Sequence, residues 1–322
     1  MQRRAFSLQA RPPFRLDLTV WALRRRPDNA VDAWDGCTYR RSLRVESGVI
    51  ELAAVQAGTA AAPRLEVTVA GTQVDRQAEK FARAMVARLL GLEIDLSAFY
   101  QLAEGDPFLH TLAARFRGLK PPRFPTLFEC LVNAIACQQL TLTVGIRLLN
   151  RLAEAYGTGA GRGAPLALPL PAQLAGLAPE TLKPLGFSGA KARSIVELAA
   201  GISAGTFNPE PIEMLDDRAA LAALLRLRGV GRWSAEYALL RGLGRLHVFP
   251  GDDVGARNNL ARWLGRRGPL DYAGVQSAVH RWQPFAGVVY FHLLLANLAE
   301  HGTLPESPAS DVRAGGEAAR IR

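Results

Sequence analysis

Residues 227–237 read Leu-Arg-Gly-Val-Gly-Arg-Trp-Ser-Ala-Glu-Tyr, and the two glycines decide how the chain around them folds. A helical pattern over Asp217–Leu227 stops there and a second, over Trp233–Gly242, begins at once. Glycine reaches φ > 0 at no steric cost, so Gly229 and Gly231 predict a tight turn that leaves backbone amides uncovered. Two short helices about a Gly-Val-Gly turn make a helix-hairpin-helix. The bare N–H groups of Gly229, Val230 and Gly231, with Arg232 beside them, suit a DNA phosphate and read no sequence. A plain αα-hairpin with a glycine turn has the same spacing.

The next informative stretch is His247-Val-Phe-Pro-Gly-Asp-Asp-Val-Gly255. Pro250 and Gly251 stop the chain, and Asp252 and Asp253 open a helix over Asp253–Leu264. Aspartate at a helix start is normally an N-cap, and acids in a first turn complement the helix dipole. Taken alone, capping is the better reading of both residues.

Upstream, the pattern changes period. Tyr39–Val45 and Arg64–Val69 alternate, Gly48–Val55 is apolar and β-branched, and Glu46-Ser47-Gly48 and Ala57-Gly58-Thr59 are turn signals. Short links predict an antiparallel meander. Leu16–Leu23 fits a strand or a helix. An amphipathic helix starts at Asp75, and from about Leu96 the chain is almost wholly helical, with a glycine-rich loop at Gly157–Pro165 and Pro179–Leu185 as one of its helices. The expected architecture is α+β. It comprises an antiparallel β-rich domain over 1–95, a two-lobed all-α body over 96–302 and a disordered tail over 303–322.

Composition narrows the function. Lys plus Arg is 39 against 29 Asp plus Glu, a formal charge of +10 carried mainly by arginine, which suits planar phosphate recognition. The arginine runs at 24–26, 40–41 and 266–267 read as solvated faces, some of them toward phosphates. The apolar run Phe285–Ala296 is too short to span a bilayer and reads as a buried helix, with His292 as a core histidine. Three scattered cysteines, Cys37, Cys130 and Cys137, give neither a disulfide framework nor a metal knuckle, and a reduced cytosolic compartment is expected. No histidine has metal-ligand spacing, and no cysteine follows Cys137 to hold an iron–sulfur cluster; no cofactor is expected.

Together the Gly-Val-Gly hairpin and the Val-Phe-Pro-x-Asp-Asp helix start resemble the helix-hairpin-helix DNA glycosylases, and most closely the bacterial 3-methyladenine DNA glycosylase II family. Phe128–Leu140 is similar to the helix leading to that family's DNA-wedge loop, Leu182–Ala192 to its other hairpin-like helix pair, and Arg281–Phe285 to its C-terminal segment. The resemblance covers about residues 10 to 300.

It implies a monofunctional DNA glycosylase that hydrolyses the N-glycosidic bond of alkylated bases (3-methyladenine, 7-methylguanine type) in damaged double-stranded DNA. Asp253 aligns with the catalytic carboxylate, which leaves Asp252 a capping role. Trp233 stands where bifunctional members carry a lysine nucleophile, and with Tyr237 it lines the base pocket. Gln139 is the implied wedge, with Leu140 beside it. A monovalent cation at the carbonyls of Leu227 and Val230 is a further family implication. Val254 and Leu294 stand where familiar members carry aromatics, which implies a less aromatic cleft. The implied setting is a monomer in the bacterial cytosol or nucleoid, with no membrane partner. Other readings are a glycosylase for deaminated or oxidised bases on the same scaffold, a non-catalytic DNA-binding module that has no need of Asp253, and a structural α+β protein.

Overall fold

The computed structural model describes residues 1–45 and 48–304. The turn expected at Glu46-Ser47 and all but the start of the tail expected over 303–322 lie outside them. The chain opens with β1 (Gln2–Gln9), α1 (Leu16–Arg24), β2 (Ala33–Trp34), β3 (Thr38–Val45), β4 (Gly48–Gln56), β5 (Arg64–Gly71) and α2 (Arg76–Leu90). The strands form one antiparallel sheet in the order β1-β5-β4-β3-β2. The meander β3-β4-β5 follows the alternation in the sequence. β1 does not announce itself, because Phe6 alone among its residues is buried. Its place is set by a full ladder to β5, from Gln2 opposite Gly71 to Gln9 opposite Arg64.

The ambiguous segment is helix α1, and its ambiguity has a physical cause. Leu16, Val20 and Leu23 enter the sheet's core with α2, while Leu18, Trp21 and Ala22 enter a helical core on the other side. A helix buried all round loses the one-sided period by which helices are read.

The helical body continues with α3 (Ser97–Glu104), α4 (Pro107–Arg115), α5 (Leu127–Cys137), α6 (Leu142–Tyr156), β6 (Thr158–Gly159), β7 (Leu166–Ala167), α7 (Pro171–Leu174), α8 (Gly189–Ser203), α9 (Asp217–Leu225), α10 (Arg232–Arg241), α11 (Val254–Trp263), α12 (Tyr272–Val279) and α13 (Ala286–Glu300). One core gathers α5, α6 and α8–α10, and a second gathers α3, α4 and α11–α13 with one face of α1. Two expectations are corrected. The glycine-rich loop contains a short ladder, Thr158 opposite Ala167. Pro179–Leu185 is a 3-10 turn, since Pro184 has no N–H to donate inside a helix. His292 is a core histidine: it is fully buried, its Nδ1 lies 2.9 Å from the Val288 carbonyl, and burial lowers its pKa to about 4, so its ring is neutral.

The arginine runs are corrected in part, since Arg40, Arg266 and Arg267 are exposed as expected. Arg24, Arg25 and Arg41 are buried. Arg41, on β3, pairs with both Asp32 and Glu129, and Tyr39 donates its hydroxyl to Asp32 at 2.8 Å. Glu129 lies in the first turn of α5, so this ion pair fastens the sheet to the helix that leads to Gln139 and Leu140. Burial pushes the Glu129 carboxyl up while Arg41 pulls it back toward ionisation. Removing one member of a buried triad leaves the others uncompensated. Arg41→Met is therefore expected to cost about 3–5 kcal/mol, read as a lower urea midpoint at neutral pH.

Candidate active site

The hairpin forms as its glycines require, though only one of them needs φ > 0. Gly229 has φ +74, and a Cβ there would lie 2.3 Å from the Ser194 hydroxyl on α8, so both conformation and packing demand glycine. Gly231 has φ −93 and open space where a Cβ would be. It is the N-cap of α10 and offers no capping side chain, so the first N–H groups of that helix face outward without a side-chain partner. The carbonyl of Leu227 accepts the Val230 N–H at 3.1 Å, which leaves one lone pair for the cation the resemblance implies. Among the described residues no three His, Cys, Asp or Glu side chains form a metal cluster.

Arg232 is half exposed and lines the groove beside the hairpin. Its Nε donates to Asp252 at 2.6 Å, and its guanidinium lies 3.8 Å over the Tyr272 ring. Asp252 is accordingly not a helix cap, contrary to expectation. The cap of α11 is Asp253, whose Oδ1 accepts from the Ala256 N–H at 2.9 Å. A single cap satisfies that N–H, and the neighbouring arginine takes the other carboxylate.

Asp253 does more than cap. Its second oxygen, Oδ2, accepts from the Trp233 indole N–H at 3.1 Å and from the Tyr290 hydroxyl at 3.1 Å. The carboxylate is thus held by α10, α11 and α13 at once. Burial, then the charge of Asp253, pushes the Tyr290 phenol well above its ordinary pKa, so it stays a donor. The preceding loop is fixed too. Glu236, buried on α10, accepts from the Gly251 N–H at 3.0 Å and the Tyr272 hydroxyl at 2.6 Å.

Asp253 lies where two cavities adjoin. The larger, about 1040 Å³, is an open groove that brings together Gln139, Leu140, the hairpin Gly229–Trp233, Asp252 and Asp253. The smaller, about 220 Å³, lies behind it, with Trp233, Tyr237, Tyr290, Leu294 and Arg25 among its walls. It is below the roughly 300–1,000 Å³ of drug-sized sites and suits one nucleobase. Trp233 and Tyr237 stand 5.5 Å apart with rings tilted by 38°. Tyr237 is buried, its hydroxyl donates to Asn133 at 3.1 Å, and burial pushes its pKa to about 12. Leu294 forms part of the cavity wall, whereas Val254 is 58% exposed on the groove.

Gln139 is exposed at φ +54, an unusual conformation for a side-chain-bearing residue, and Leu140 beside it is exposed as well. Their loop is braced from beneath. Gln138 donates to the Gly229 carbonyl at 2.6 Å and to the Ser234 hydroxyl at 2.8 Å, tying the loop to the hairpin. The Lys191 ammonium donates to the carbonyls of Ala136 at 2.9 Å and Gln138 at 2.7 Å, capping α5. Sequence reasoning placed Gln138 in this turn without its bracing role, and missed Arg25, Asn133, Lys191 and Tyr290. The doubled glutamine was a visible signal for Gln138; Tyr290 sits in an apolar run that reads as core.

Residues 132–284 match the family model of the HhH-GPD superfamily base excision DNA repair protein, and residues 5–125 match the AlkA N-terminal domain. The DNA-3-methyladenine glycosylase of Bacillus subtilis (strain 168) is 30% identical over 68% of this chain and 75% of its own length. DNA-3-methyladenine glycosylase 2 of Escherichia coli (strain K12) is 27% identical over 89% and 96%. A solved 3-methyladenine DNA-glycosylase from Archaeoglobus fulgidus superposes with a TM-score of 0.80 at 22% identity, covering 93% of this chain and all of the other, which shows the shared fold.

Asparagine caps a helix as well as aspartate does, and alanine does not. With its oxygen on the Ala256 N–H, an asparagine at 253 turns its NH2 toward the Trp233 indole N–H, so Asp253→Asn should melt below the wild type, and Asp253→Ala, which also loses the cap, should lose about 1 kcal/mol more of stability, both read by thermal unfolding. An equal loss in the two variants would remove the capping role.

Proposed function

The chain belongs to the helix-hairpin-helix superfamily of base excision DNA repair proteins and is a DNA glycosylase for alkylated bases, and we propose that it is monofunctional, with Asp253 as the catalytic carboxylate. One observation carries the assignment: a carboxylate fixed by Trp233, Tyr290 and Ala256 stands at the mouth of a cavity of nucleobase size. Heterolysis of the N-glycosidic bond leaves positive charge on the sugar, and a preorganised carboxylate stabilises that oxocarbenium-like state. The same oxygen orients the water that completes hydrolysis.

A flipped base enters the cavity against Trp233 and Tyr237, whose faces attract a cationic ring. Gln139, with Leu140, fills the gap left in the duplex. The N–H groups opening α10 hold a backbone phosphate, with Gly231 keeping the approach clear. Arg232, exposed on the same groove and paired with Asp252, stands beside that phosphate. No Schiff base forms at the hairpin, because the indole of Trp233 occupies the position aligned with a lysine nucleophile. Lys191, which lines the groove, has its ammonium on two carbonyls. The partner is damaged duplex DNA, and one lesion per chain makes a monomer sufficient. No helix among the described residues is long and apolar enough to cross a membrane; the cytosol or nucleoid is the setting this reading gives.

The assignment is tested on methylated duplex DNA. Wild type should release 3-methyladenine or 7-methylguanine and leave strand breaks only after alkali, and Asp253→Asn should lose about 100-fold or more of that rate, since one electrostatic stabiliser is commonly worth that much. Breaks before alkali would contradict monofunctionality.

The wedge has its own test. Gln139→Ala should slow single-turnover excision from duplex by about tenfold, because unstacking costs a few kcal/mol, and should change excision from single strands far less. Equal slowing on both substrates would assign Gln139 another role.

A further inference from the structure

Arg25 is the residue that this mechanism leaves unused. It follows α1 at φ +60, a left-handed conformation held by its N–H bond to the Trp21 carbonyl at 2.9 Å. Its side chain is buried and reaches the small cavity from behind. Nη1 donates to the Tyr237 hydroxyl at 3.0 Å and Nη2 to the Asn133 carbonyl oxygen at 2.9 Å, and the Cys137 thiol, whose pKa burial raises, is a third hydrogen-bond partner. All three partners are neutral. Asp32, the carboxylate whose charge reaches it, is already bound to Arg41 and Tyr39. A second buried guanidinium, Arg241, lies 5.5 Å from the Tyr237 ring centre and donates to the Ala22 carbonyl. A buried charge with no counter-ion is costly, and a structural hydrogen bond to Tyr237 does not require one.

The cavity therefore has a polarity. Guanidinium charge stands behind its base end, and the Asp253 carboxylate stands at its mouth, where the sugar would be. In cleavage the bond between C1′ and the base nitrogen breaks, and its electron pair goes to the base. Water then bonds to C1′ and loses a proton. A base alkylated to a cation leaves neutral, so positive charge moves from the Arg25 side toward Asp253, and the released proton goes to solvent. A neutral base leaves with negative charge beside Arg25 and takes up the proton that water loses. The field of Arg25 favours both displacements, but in different ways. With a cationic base it raises the energy of the bound substrate and relieves it at the transition state, so kcat and KM rise together. With a neutral base it stabilises only the transition state.

We propose that Arg25 is a specificity-determining residue that acts on the leaving base and sorts substrates by base charge. The proposal rests on the assignment of the small cavity as the base pocket.

The test compares wild type, Arg25→Gln and Arg25→Lys on duplexes containing 7-methylguanine, a cation before cleavage, or hypoxanthine, which is neutral. Arg25→Gln should lower the ratio of kcat/KM for hypoxanthine to that for 7-methylguanine about tenfold or more, and should lower kcat and KM together for 7-methylguanine. Arg25→Lys, which keeps the charge, should recover part of the ratio. An unchanged ratio overturns the proposal. A second measurement uses inhibitors: the ratio of the inhibition constant of the 7,9-dimethylhypoxanthinium cation to that of 9-methylhypoxanthine should fall about tenfold from wild type to Arg25→Gln, and an unchanged ratio also overturns it. Asp253→Asn separates the two levels. If it loses both excisions while the ratio ignores Arg25, the pocket stands and the sorting role falls; if it keeps both, the pocket assignment itself falls.

Discussion

The carboxylate of Asp253 is where the separate parts of this molecule meet. It caps α11 through one oxygen and receives α10 and α13 through the other. Those helices belong to different cores, since α10 contributes mainly to the middle lobe and α11 and α13 to the other. A side chain bound from three directions has no low-energy rotamer left to explore, so its orientation costs little reorganisation when charge develops opposite it. Capping and the catalytic role we propose do not compete for this residue. The cap supplies the rigidity that electrostatic stabilisation requires.

The N-terminal domain belongs to the same construction. Arg41 grips Glu129 in the first turn of α5, and Arg25 grips Asn133 one turn further on. The C-terminal end of α5 is capped by Lys191 and leads into the loop of Gln139 and Leu140. One helix is thus held at its start, middle and end by three different elements. The β-rich domain braces the helix that bears Gln139 and also places a side chain in the wall of the small cavity.

How much of this was legible follows from what each signal measures. The hairpin and the Asp252-Asp253 helix start were readable because glycine and aspartate have narrow local uses, and spacing alone set them in order. The meander β3-β4-β5 was readable because one of its faces is buried and the other is not. β1 and α1 were not, for opposite reasons: β1 buries too little to show a period, and α1 buries too much. Asp252 was misassigned because a cap and an ion pair use the same carboxylate, and only the position of Arg232 decides between them. Tyr290 lay hidden in an apolar helix, where an aromatic is indistinguishable from core until its hydroxyl is seen to reach Asp253.

The arginines mark the deepest limit. A net charge of +10 invites the inference that basic side chains cover the surface and face phosphate. Yet Arg24, Arg25, Arg41 and Arg241 are all buried, and each is spent inside the fold. Arg24 closes the end of α1 on the carbonyls of Trp34 and Pro27, and Arg41 joins two domains. Arg241 donates to the Ala22 carbonyl with its guanidinium near the rings of Phe124, Tyr237 and Phe291. Such groups contribute nothing to counter-ion release, which depends on cations that meet the phosphate backbone directly. Their charge acts in a medium of lower dielectric constant, where it is screened less than the charge of an arginine in water. Charge count therefore points to the right class of partner for a partly wrong reason. The excess is divided between arginines at the surface and arginines inside the fold, one of which, Arg25, stands in the wall of the small cavity.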